Sequence, residues 1–100
     1  MELLAEEIQK NGYLYRIYKR GEKAMIYEQI DTEDNSTVAY EVFKRRIDKP
    51  KVIFGISLPE REKFPGNEDF GKWAWACTSL DRALWRFDVI ESGGSFDTDE

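Results

Sequence analysis

Residues 64–87, FPGNEDFGKWAWACTSLDRALWRF, decide the fold, because a turn-rich loop, an aromatic cluster and a capped amphipathic helix follow one another without a gap. Ser79, with Thr78 as the alternative, caps a helix over residues 79–91, and Asp81 sits near its positive end, where a carboxylate suits the free amides and the dipole. On a 100° wheel Leu80, Ala83, Leu84, Phe87 and Ile90 share one stripe roughly 120° wide, enough to lie on a sheet. The segment just before the helix, residues 72–77, predicts a short edge strand. Trp73 and Trp75, two apart, then point the same way if that segment is extended.

Upstream, strand signals dominate. Tyr13–Arg20 is rich in aromatic and β-branched residues, Gly21-Glu22 marks a turn, and residues 23–31 form a second such run. Residues 37–47 alternate Val38, Tyr40 and Val42 against Ala39, Glu41 and Phe43, a third strand. Asp48-Lys49-Pro50 breaks it, and residues 51–56 predict a fourth. Residues 1–10 space Leu4 and Ile8 by four, with acids early and Asn11-Gly12 behind them, the pattern of a short N-terminal helix. The expected fold is therefore α+β: an antiparallel meander of four to five strands with the C-terminal helix on one face and a short N-terminal helix beside it. Residues 1–91 make one domain, and residues 92–100 read as a flexible acidic tail.

The chain has 100 residues, 41% hydrophobic and 14% aromatic, enough for one core. Its net charge of −5 disfavours indiscriminate attraction to phosphate or anionic lipid, and no apolar run has the length of a membrane span. A single cysteine, Cys77, excludes an internal disulfide. These features favour the cytoplasm and no contact with membrane.

Catalytic groupings are scarce. The chain has no histidine, which removes Ser-His and Cys-His nucleophile pairs and the commonest metal ligand. Cys77 beside Trp75 and the helix start reads as a packing residue rather than a thiol activated by the helix N-terminus. The carboxylate pairs Glu60/Glu62 and Glu68/Asp69 lie in one polar loop without a partner acid on a strand, so a solvated loop outweighs a metal or catalytic role. Asp69-Phe70-Gly71 copies a kinase triplet with no phosphate-binding loop before it. No catalytic residue, metal or cofactor is expected.

Binding residues are better represented. Trp85 falls about 140° from Leu80 on the wheel, with Val89 one turn beyond, so the pair forms a second apolar face unless it tucks against the N-terminal helix or the Phe64 loop. With Glu60, Glu62, Glu68 and Asp69 it makes the expected contact surface for a protein partner. The alternative is nucleic-acid binding. A meander brings Lys19, Arg20 and Lys23 near Lys44, Arg45, Arg46, Lys49 and Lys51, and this basic pole would take phosphates through Arg20, Lys44, Arg45, Arg46 and Lys49 while Tyr15 or Tyr18 stacks bases. Solvated strand ends with charges that block edge pairing explain the same pole. Glu28, Asp31, Glu33 and Asp34 form an acidic counterpart. A third reading is a structural protein that self-associates as a homo-oligomer.

The order of Tyr40-Glu41-Val42, residues 64–71 (FPGNEDFG), Trp75, Ala83 and Phe87 resembles small uncharacterised proteins of bacteriophages and mobile elements of gut bacteria over about the last two-thirds of the chain. That resemblance implies an accessory protein in the cytoplasm of a bacterial host, one that binds and blocks a host component such as a defence nuclease. A weaker similarity is to the WGR domain, with Phe70-Gly71-Lys72 where that domain carries Trp-Gly-Arg, and no DNA contact is carried over from it.

Overall fold

In the computed structural model, which describes residues 2–94, Asn11 and Gly12 both take positive φ, 55° and 82°. Two consecutive left-handed residues make the tight turn that matches the twist of paired strands, and Asn-Gly is its preferred sequence. Residues expected to end a helix therefore join two strands, Glu7–Lys10 (β1) and Tyr13–Arg20 (β2), with Lys10 opposite Tyr13. Among the described residues the predicted N-terminal helix is absent. Its four-residue spacing of Leu4 and Ile8 is too short a signal to outweigh pairing along β2, and residues 3–5 lie outside any strand or helix.

Ala24–Asp31 (β3) and Thr37–Lys44 (β4) continue the meander. Four short strands follow within residues 47–62: Ile47–Asp48 (β5), Lys51–Ile53 (β6), Ile56–Leu58 (β7) and Arg61–Glu62 (β8). None of them joins the main sheet, which corrects the expected fourth strand at residues 51–56. A second pair of left-handed residues, Phe54 at φ 52° and Gly55 at φ 77°, folds that run back on itself. Among the described residues β6 pairs only with β7, and β5 only with β8.

Ala74–Cys77 (β9) returns to the sheet beside β4, giving a five-stranded antiparallel order β1-β2-β3-β4-β9. The helix Leu80–Glu91 (α1) follows, its first turn capped by the Ser79 hydroxyl, which accepts from the Arg82 amide at 3.3 Å. Residues 92–94 close the helix: Gly93 and Gly94 donate to the carbonyls of Ile90 and Val89. The remainder of the expected tail lies outside the described residues.

The sheet separates two clusters. On one face Ala24, Ile26, Val42 and Cys77 meet Ala83, Phe87 and Ile90 of α1. On the other Tyr15, Met25, Tyr27, Phe43, Trp73 and Ala74 are covered by Leu4 and by Phe64, whose ring meets Tyr15, Tyr27 and Phe43 edge-on. The two tryptophans diverge, contrary to the sequence expectation. The amides of Lys72 and Trp73 both donate to the Asp69 carbonyl, so the chain is still turning at Trp73 and becomes extended only at Ala74. Trp73 thus packs under the loop, whereas Trp75 packs against the helix side.

Candidate interaction surface

Five of the sequence-predicted contact residues, Glu62, Asp69, Arg20, Arg45 and Tyr15, are committed inside the molecule. Glu62 is buried, and its carboxylate accepts from Arg20 at 3.0 Å, from Arg45 at 2.6 Å and from the Leu4 amide at 2.9 Å. Burial pushes this carboxyl up, but the Leu4 amide and the two guanidinium groups outweigh it and hold the pKa below the usual range. A β-bulge makes this possible. Register shifts between Ile17 and Lys19, so Lys19 stays on the helix face, over the Phe87 ring at 4.6 Å, and Arg20 comes round to the loop face.

Asp69 is buried too and accepts from the Gly66 amide at 2.8 Å, the main cause of its lowered pKa. Glu60 and Glu68 are exposed. Trp85 and Val89 lie on α1, on the other side of the sheet from the loop over Phe64, so the structure does not gather the predicted protein-binding residues into one surface. Trp85 is 42% exposed, with the Arg82 and Arg86 guanidinium groups 5.3 and 5.9 Å from its ring. Leu4, Ile8 and Phe64, against which it could have tucked, pack on the other face of the sheet.

The residues named for nucleic acid are dispersed in the same way. The strand ends do converge, since Arg45 donates its amide to the Lys23 carbonyl and its guanidinium to the Gly21 carbonyl. Yet Arg20 and Arg45 are held by Glu62, and Arg46 lies over Trp73 at 5.3 Å. Tyr15 is buried against Phe64, whereas Tyr18 is 45% exposed and faces Tyr40 on the helix side. Lys44 is half-buried and Lys49 is exposed. Cys77 is buried, and burial pushes its thiol up despite the nearby Arg86 charge. Among the described residues, no group of three or more Cys, Asp or Glu is arranged to hold a metal ion, and no helix is long and apolar enough to cross a membrane.

What sequence reading missed is the projection at residues 47–62. β5 and β8 form its stem, with Asp48 opposite Arg61, and β6 and β7 form its tip. Phe54 at the apex is 98% exposed, Val52 67%, Ile56 63% and Ile53 41%. Ile53 and Ile56 are cross-strand partners and project from one face of the hairpin, while Val52, paired with Ser57, projects from the other. The tip is therefore apolar on both faces and at its end. One signal was present in the sequence: Gly55 interrupts a strand-like run that resumes at Ile56.

No family model, curated protein or solved structure matches this chain.

Proposed function

We propose that this protein is a non-enzymatic binding module that engages a protein partner by seating the β6–β7 tip in an apolar recess. Phe54 carries the reading. It is almost wholly exposed, and it occupies a left-handed turn position, φ 52°, that costs a bulky residue roughly 1–2 kcal/mol. The equivalent position of the β1–β2 turn holds Asn11, the residue such a turn favours. A local rule broken in favour of an exposed ring points to binding rather than folding. Burying what Phe54, Val52, Ile53 and Ile56 still expose offers a gross gain of about 4–8 kcal/mol before the cost of association. The narrower role, inhibition of a host defence system, rests on the resemblance to phage proteins alone.

The test places a photocrosslinking amino acid at position 54, and at position 33 as a control, in the cell that encodes the protein. A protein joined through position 54 only is then purified, and its affinity for the wild-type chain and for Phe54→Ala is measured. A loss of at least tenfold with an unchanged melting temperature is expected. Equal affinities, or no protein joined specifically at position 54, would refute the reading.

A further inference from the structure

Resting on that reading, we infer that the partner is a protein whose apolar socket surrounds the tip and carries carboxylates on the rim facing β6. The first part follows from the distribution of apolar side chains. A hairpin laid on a flat surface buries one face and keeps the other polar, whereas here Ile53 and Ile56 lie on one face, Val52 on the other and Phe54 at the end. A socket that encloses the tip leaves none of them in water.

The second part follows from charge. Lys49 and Lys51 lead into β6, both exposed and in no ion pair among the described residues. They stand where the rim of an occupied socket would lie, so carboxylates there give complementarity and steer the approach. Across the base, the arm beyond β7 carries Glu60, exposed and likewise in no ion pair among the described residues. A base of mixed sign, on a chain of net charge −5, fits a discrete protein rim better than a uniformly anionic lipid surface. Lys49 and Lys51 also oppose a second copy of this chain, since edge-to-edge pairing of two hairpins would bring like charges together.

The experiment uses the purified protein captured through position 54, with vesicles of phosphatidylcholine and phosphatidylglycerol and the chain itself as competing occupants. Lys49→Glu combined with Lys51→Glu, leaving Phe54 intact, is expected to slow association with the captured protein at least tenfold at low salt. Raising sodium chloride should weaken the wild type and leave the double variant almost unaffected. If Phe54→Ala abolishes binding while the lysine variant matches the wild type at every salt concentration, the acidic rim is wrong and the protein-binding reading survives. Phe54-dependent sedimentation with the vesicles, or Phe54-dependent dimerisation in the ultracentrifuge, would overturn both, as would capture of no protein at position 54.

Discussion

Phe54 poses a conflict between folding and binding that a single substitution separates. Its ring is held in a left-handed turn conformation that asparagine adopts at little cost. Phe54→Asn should therefore stabilise the hairpin locally while removing its apolar apex. Because β6 and β7 pair with each other outside the main sheet, hydrogen exchange of the hairpin amides is a more suitable readout than global melting. A gain of about 1 kcal/mol corresponds to protection increased roughly fivefold. Exchange that is unchanged or faster in Phe54→Asn would mean that the phenylalanine is favourable to the turn. Its strain would then be no argument for function.

Between elements, the β2–β3 turn and the end of α1 are joined by Glu91, whose carboxylate accepts from the amides of Glu22 at 2.7 Å, Lys23 at 2.9 Å and Ala24 at 3.0 Å. The Lys23 amide is the largest cause of its lowered pKa. Gly21 lies so close that a Cβ there would collide with the Glu91 carboxyl and the edge of the Phe87 ring. Gly21→Ala should lower stability by about 1–3 kcal/mol, and Glu91→Ala should destabilise by releasing the turn. Thermal melts of the double variant should show less than the summed loss, because the same contact is broken twice. Full additivity would place the two effects in separate parts of the fold.

Such long-range locks explain which elements were legible in the sequence. The helix, its Ser79 cap and its Ala83-Phe87-Ile90 stripe follow from local spacing, as do the three long strands. Asn11-Gly12 was visible but ambiguous, since the same dipeptide ends helices and turns hairpins, and only pairing with β2 decides between them. The bulge at residues 17–19 depends on the register with β3, and the placement of Arg20 beside Glu62 on a contact 42 residues apart, which no local pattern carries. The projecting hairpin went unread because an apolar β-branched run normally signals burial, and here it is exposed.

Across the whole molecule, buried carboxyls of opposite tendency set the response to pH. Glu41 lies on the loop-covered face of β4, with Tyr27 and Ala76 as its strand partners. Burial raises its pKa from 4.5 to about 7, against the opposing charge of Lys10, which itself donates to the Pro65 carbonyl and lies over Phe64. Tyr15 is also close enough for the Glu41 charge to help raise its pKa, after burial. Between 4.5 and about 7 the folded chain holds a proton here that the unfolded chain has released, so this contribution to stability is full below 4.5 and declines as pH rises through 7. Glu62, Asp69 and Glu91 have lowered values, so their contribution is present above the unfolded range and disappears as pH falls. The two tendencies place the stability maximum on the acid side of neutrality. Glu41→Gln, which keeps the shape and cannot ionise, should raise stability at pH 8 by up to about 3 kcal/mol and leave stability at pH 4 almost unchanged. Denaturant titrations at the two pH values check this. An equal effect of the substitution at pH 4 and pH 8 would show that the Glu41 charge carries no cost in the folded chain, and that the loop over Phe64 admits water to the sheet beneath it.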